Sequence, residues 1–192
     1  MSTIKLAIFA SGNGTNALNL ISHFKDHSQF EVAFVLVNKK DAPIIHLAQK
    51  ENVEVILCTN NQVDELGFLL NLCKTRAISA IILAGFLRKI PIDLVNYYSD
   101  KIINIHPALL PKFGGVGMYG KYVHQAVLAA QEKETGITIH LVNDEYDRGE
   151  ILAQFSCQLN ANDDVESIQR KIHQLEMQHF PLVVEQVLTL NN

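Results

Sequence analysis

Short apolar runs alternate with longer amphipathic ones along most of the chain. The runs near 4–9, 32–37, 53–57, 79–84 and 101–105 are brief and rich in branched apolar residues, which predicts strands. The intervening stretches 14–26, 43–51, 62–76 and 91–99 carry helical spacing. Within 62–76 and just beyond it, Leu66, Leu69, Leu70, Cys73 and Ala77 form a helical apolar stripe that reads as core. This βαβα rhythm predicts an α/β protein with a mostly parallel twisted sheet and helices on both faces. Two later runs, 136–142 and 151–158, read as strands joined by a polar turn, an antiparallel edge at the C-terminal side. Helices are expected over 121–131 and from about 164 to 179 or beyond, with Pro181 breaking or kinking the last one. No linker or internal repeat divides the chain, so residues 1–192 read as a single domain.

Composition narrows the function classes. The apolar fraction of 48% and the lack of low-complexity tracts argue against disorder. A net charge of −4, with no run of Lys or Arg, argues against nucleic acid or a membrane surface as partner. Cys58, Cys73 and Cys157 are odd in number and lack CxxC spacing. They read as buried thiols in a reducing compartment, without disulfide framework or zinc site. The first apolar run is too short to span a membrane and lacks a signal peptide's basic flank. A cytoplasmic protein is expected.

Candidate chemistry gathers at a few places. The strand 101–105 runs into His106 and stops at Pro107. If Ile103 and Ile105 face the core, Asn104 and His106 share the other face, at the carboxyl end of a strand where α/β catalytic groups often sit. The loop Ser11-Gly-Asn-Gly-Thr-Asn16 joins a strand to a helix. It fits an anion site for phosphate, or a tight turn with Asn and Thr as caps. Its partial G-x-G-x-x-A pattern has no acidic partner for a ribose at the end of the second strand. Residues 81–90 leave Phe86, Leu87 and Ile90 beside Arg88 in a loop, either core closure or one wall of a pocket for a flat ring. The four glycines within 114–120 predict a mobile loop and candidate lid, and His124 on the next helix reads as a surface residue. After the strand bearing His140, Asp144, Glu145 and Asp147 crowd a turn. A carboxylate there that reached His106 would raise its pKa, and spacing does not say which of the three does so. On the last helix His173 and Glu176 share a face while His179 diverges, so a metal site is not expected.

Together these motifs resemble a known family. Ser11-Gly-Asn-Gly-Thr-Asn16, Ala84-Gly-Phe-Leu-Arg88, Asn104-Ile-His-Pro-Ala-Leu-Leu-Pro-Lys112 and Gly136…Asp147-x-Gly149 occur in the order seen in the folate-dependent phosphoribosylglycinamide formyltransferases (GAR transformylases). The resemblance covers nearly the whole chain and implies a Rossmann-like formyltransferase fold. It implies a catalytic trio of Asn104, His106 and Asp147. Gly12, Asn13, Gly14, Thr15 and Asn16 fall where the family holds the phosphate of glycinamide ribonucleotide (GAR), and His173 and Glu176 where its last helix touches that substrate. Phe86, Leu87, Arg88, Lys89 and Ile90, with Asn104 and Asn143, Asp144, Glu145, Tyr146 and Asp147, fall on the folate pocket. A cis Leu110–Pro111 bond is also implied. The chain departs from the family at 113–123, which lacks the usual His-Thr-His-Arg segment, and near Asp64, where a nucleotide-holding arginine has no counterpart.

The reaction so implied moves a formyl group from 10-formyltetrahydrofolate, a co-substrate, to the GAR amine, with no metal. Asn104 and a protonated His106 would donate to the tetrahedral oxyanion, and Asp147 would hold His106 and help move the proton. The alternative is a formyltetrahydrofolate hydrolase, which uses water in place of the amine. Such enzymes usually carry an added N-terminal domain, whereas this chain opens on its first strand. Methionyl-tRNA formyltransferases carry a C-terminal RNA-binding domain, and a non-catalytic nucleotide-binding module would not need the trio. A transferase is therefore expected, as a monomer or homodimer with small-molecule substrates.

Overall fold

The computed structural model describes residues 3–190. Its elements are β1 (Ile4–Ala10), α1 (Thr15–Phe24), β2 (Phe30–Val37), α2 (Ile44–Lys50), β3 (Glu54–Leu57), α3 (Asn60–Asp64), α4 (Phe68–Thr75), β4 (Ala80–Leu83), α5 (Ile92–Tyr97), β5 (Ile102–His106), α6 (Lys121–Ala129), β6 (Glu134–Leu141), β7 (Ile151–Gln158) and α7 (Val165–Leu190). The strands form a mostly parallel sheet of order β3-β2-β1-β4-β5-β6-β7 with an antiparallel edge, the α/β architecture that the alternating runs predict. The chain divides into two compact units, one up to Ile103 and one from Asn104.

In the first unit β1 runs parallel to both β2 and β4, and β2 to β3. Leu6 to Ala10 are fully buried, which explains why β1 is apolar without alternation. α1 buries Ala17, Leu20, Ile21 and Phe24, a spacing of three, four and seven that makes one helix face. The single helix expected over 62–76 is two. α3 starts at Thr59, whose side chain accepts the Gln62 N–H while Gln62 accepts the Thr59 N–H. α4 starts at Gly67, whose left-handed backbone (φ 84°) turns the chain and whose N–H donates to Asp93 at 2.7 Å. The break leaves Leu66 71% exposed and Ala77 outside the helix. Of the expected stripe only Leu69 and Cys73 are buried.

In the second unit β6 and β7 pair antiparallel, with a register shift between Ile139 and His140. α6 buries Val123, His124 and Val127. His124, expected at the surface, is 4% exposed, because it lies three residues before Val127 on the apolar side of the helix. α7 is not ended by Pro181 and runs on to Leu190. Phe180, Pro181, Val184 and Leu188 are all buried, and that apolar face sustains the helix despite the backbone bond that proline cannot make. Cys58 and Cys73 are buried, whereas Cys157, also expected to be buried, is half-buried on β7, a strand whose residues alternate between half-buried and exposed. All three are free thiols. Burial raises each pKa, that of Cys73 to about 12. No helix among the described residues is long and apolar enough to cross a membrane.

Candidate active site

β5 delivers Asn104 and His106 to the start of the second unit. His106 is 3% exposed. Its Nε2 lies 2.8 Å from the Phe113 carbonyl, which can only accept, so Nε2 carries the hydrogen. The lone pair on Nδ1 then faces Asp147 Oδ2 at 3.5 Å. The same carboxylate oxygen accepts the Gly115 N–H at 2.9 Å, and Oδ1 is 3.6 Å from His140 Nε2. His140 Nδ1 donates to the Leu141 carbonyl at 2.8 Å. That leaves its Nε2 as an acceptor, which takes an amide hydrogen of Asn104 at 3.0 Å. Asn104, His140, Asp147 and His106 thus form one polar cluster within this unit.

The electrostatics correct one expectation. A carboxylate does reach His106, yet burial pushes the imidazole below its ordinary range and outweighs the pull of Asp147 and the Phe113 carbonyl. His106 is therefore neutral at neutral pH, not protonated. Burial works to raise the Asp147 carboxyl, but the His140 and His106 rings, which favour the carboxylate whenever they carry a second proton, and the Gly115 N–H together hold it below the usual carboxylate range. His124 is also pushed down, by burial first and then by nearby His106. Its Nδ1 is buried without a hydrogen-bond partner.

The turn that carries Asp147 is built by close backbone approach. A Cβ on Gly149 would lie 1.8 Å from the Leu141 carbonyl oxygen, so only glycine lets the chain pass there. The Leu141 N–H donates to the Glu150 carbonyl at 2.8 Å and closes the turn. Asn143 Oδ1 accepts the Glu145 N–H at 3.0 Å, and Asp144, Glu145 and Tyr146 are exposed. Of the three turn acids only Asp147 reaches an imidazole. Just after His106 in the chain, the Ala108 carbonyl accepts from the buried Thr138 hydroxyl at 2.7 Å. That hydroxyl accepts from the Leu110 N–H at 3.0 Å and Gln154 Nε2 at 2.9 Å, which uses its one donor and both lone pairs. The Leu110–Pro111 bond is cis. Farther along the unit, His173 Nδ1 is 3.8 Å from Glu176 Oε2, while His179 stacks on Phe155 with ring centroids 3.7 Å apart. No group of three or more His, Cys, Asp or Glu among the described residues could hold a metal ion.

The first unit carries the other predicted residues. Ser11 Oγ donates to Asn38 Oδ1 at 2.6 Å and accepts the Leu87 N–H at 3.1 Å. No side chain caps α1, so the reading of Asn and Thr as caps does not hold. Gly12, Asn13 and Thr15 are exposed, and Asn16 Oδ1 is buried without a partner. Gly14 has φ 76° and packs so closely that a Cβ would lie 2.3 Å from Ile44 Cβ. A cleft of about 530 Å³ opens between residues 11–13 and 38–43 and includes the exposed Lys39 and Lys40. In the 86–90 segment Phe86 is buried edge-on against Phe9 at 5.4 Å, and Ile90 is buried too. Leu87 and Lys89 are exposed. Arg88 is bound to Asp64, the residue in the region where the resemblance expects an arginine.

His140, Thr138, Gln154 and the backbone of Phe113 and Gly115 are additions to the predicted set. The available signal was the strand Gly-Ile-Thr-Ile-His, residues 136–140, in which polar residues alternate with isoleucine although all five are buried. Polar side chains that are buried need partners, and here they find them around β5.

Residues 4–184 match the formyl transferase family. The chain therefore belongs to that family. The phosphoribosylglycinamide formyltransferase of Bacillus subtilis is 35% identical over 98% of this chain and 96% of its own length. The chloroplastic phosphoribosylglycinamide formyltransferase of Arabidopsis thaliana is 38% identical over 88% of this chain. The chain spans 60% of the length of that plant protein and of its Vigna unguiculata counterpart. Among solved structures, the phosphoribosylglycinamide formyltransferase of Bacillus halodurans has a TM-score of 0.88 at 29% identity, covering 98% of this chain and 97% of that one.

Proposed function

We propose that this chain is a phosphoribosylglycinamide formyltransferase acting in de novo purine biosynthesis. It transfers the formyl group of 10-formyltetrahydrofolate to the amine of GAR, giving formyl-GAR and tetrahydrofolate. The observation that carries the reading is the polar cluster in which Asn104 bonds to His140 and His106 faces Asp147. The GAR amine attacks the formyl carbon and forms a tetrahedral oxyanion. The second amide hydrogen of Asn104, outside its bond to His140, donates to that oxygen.

The proton lost by the amine needs an acceptor. A lone pair on Nδ1 facing a carboxylate gains when a proton enters between them, so the His106–Asp147 pair is a proton slot in its resting form. The slot holds the proton from the amine until it is passed to the leaving nitrogen of the folate, directly or through water. This assigns His106 and Asp147 to proton transfer and leaves oxyanion donation to Asn104.

Residues 12–16 bind the GAR phosphate through backbone amides at the uncapped start of α1. Lys39 and Lys40 bring positive charge to the same cleft and take the part of the absent arginine. His173 and Glu176 address the nucleotide. Residues 86–90, chiefly through Leu87 and backbone, and residues 143–147 bind the folate. The chain works as a single formyltransferase domain in the cytoplasm, as a monomer or homodimer, without metal or nucleic acid. The test is to mix purified protein with 10-formyltetrahydrofolate and follow folate product by absorbance. Product forms when GAR is added and not before; formation at the same rate without GAR means a hydrolase.

A further inference from the structure

We propose that residues 113–115 are a backbone clamp that sets the tautomer of His106 and anchors Asp147, and are not a free lid. The proposal deepens the transferase reading and rests on it for its kinetic part. The Phe113 carbonyl takes the Nε2 hydrogen of His106 at 2.8 Å, and two residues later the Gly115 N–H meets Asp147 Oδ2 at 2.9 Å. Phe113 sits at φ 57°, a left-handed conformation that a bulky residue rarely adopts, and it does so at the residue whose carbonyl meets His106. Gly114 passes between the two anchors. A Cβ on it would lie 2.5 Å from Leu110 Cδ2 and 3.2 Å from Asp147 Cβ.

The clamp matters because of what an unclamped imidazole would do. Neutral His106 beside a carboxylate would move its hydrogen to Nδ1 and donate it to Asp147. The slot that is to receive the amine's proton would then be filled at rest. The Phe113 carbonyl prevents this by drawing the hydrogen to Nε2. Around the pair the other titratable groups are His140 on β6 and His124 on α6. Neither bonds to His106 Nε2, so the carbonyl alone selects the tautomer.

The experiment compares wild type, Gly114→Ala and Val116→Ala, whose side chain is 84% exposed and serves as control. Imidazole ¹⁵N NMR of wild-type protein is expected to show His106 as the Nε2–H tautomer, with the Gly115 amide protected from exchange. In Gly114→Ala the tautomer shifts toward Nδ1–H. There kcat falls by about 10²-fold, the scale of a 1 Å misplacement, with KM for both substrates nearly unchanged. The acid limb of its kcat profile moves to higher pH, because Asp147 loses a hydrogen bond that lowers its pKa. Val116→Ala behaves as wild type. An Nδ1–H tautomer or an unprotected Gly115 amide in wild-type protein overturns the clamp, even if Gly114→Ala does not fold. So does a folded Gly114→Ala with wild-type tautomer, kcat and pH profile. If wild-type protein formylates no GAR, the transferase reading fails, while the tautomer and exchange data still decide the clamp.

Discussion

Asp147→Asn removes one charge and little else. The amide is isosteric with the carboxylate, and its oxygen can still accept the Gly115 N–H now bonded at 2.9 Å. What is lost is the attraction between Asp147 and a proton arriving at His106 Nδ1, 3.5 Å away. At that distance, with an effective dielectric near 20, the attraction is about 5 kcal/mol. It acts when the amine releases its proton, because His106 is neutral in the resting protein. At about 1.4 kcal/mol per decade of rate, kcat is expected to fall by roughly 10³–10⁴-fold. General acid–base groups of this kind contribute about 10²–10⁴-fold, so the two figures agree. KM for both substrates is expected to stay within about threefold, since a charge used only in the transition state does not set ground-state binding. The assay is steady-state formation of tetrahydrofolate at saturating GAR and formyl donor, with circular dichroism to confirm the fold. A folded variant whose kcat stays within tenfold of wild type refutes the proton slot.

Thr138→Val keeps the shape of the side chain but strands the Ala108 carbonyl and the Leu110 N–H in the interior. At about 1–3 kcal/mol for each unpaired group, the urea unfolding free energy is expected to fall by roughly 2–6 kcal/mol, and a loss under 1 kcal/mol contradicts the network. Changing Lys39 and Lys40 together to Gln is expected to raise KM for GAR about tenfold, the scale of one charge-assisted bond. KM for the formyl donor is unchanged; an unchanged KM for GAR removes both lysines from the site. His106 and His124 have pKa values lowered by burial, so the unfolded chain takes up their protons first on acidification. Stability is therefore expected to fall as pH drops below about 6.5, and further at lower pH as Asp147, whose pKa is also lowered, protonates. A urea midpoint that rises between pH 7 and pH 5.5 contradicts these directions.

Much of the fold was legible because local periodicity marks strands and helices one at a time. The run 101–105 matched β5 to within one residue at either end, which brought Asn104 and His106 to its carboxyl-terminal half. Features that depend on distant partners were not legible. Gly67 starts a new helix with help from Asp93, 26 residues away, so 62–76 read as one helix. His140 orients Asn104 across 36 residues, and no spacing rule joins them. Asp147 does raise the His106 pKa as a charged neighbour should, but the depth of burial that outweighs it cannot be read from the sequence. The burial of His124 is hidden for the same reason, since a histidine on an amphipathic helix looks alike in sequence whether its face is covered or open. Gly14, read as a phosphate-loop glycine, is also a packing position against Ile44, so Gly14→Val would disturb the core as well as the loop.

The central claim is that the formyl group passes to an amine and not to water. The direct measurement follows a ¹³C-labelled formyl carbon from 10-formyltetrahydrofolate through a single turnover with GAR present. The expected result is label in formyl-GAR in a one-to-one ratio with tetrahydrofolate, and a formyl donor that stays intact when GAR is left out. Label appearing as free formate, at the same rate with or without GAR, would contradict the transferase and identify a hydrolase.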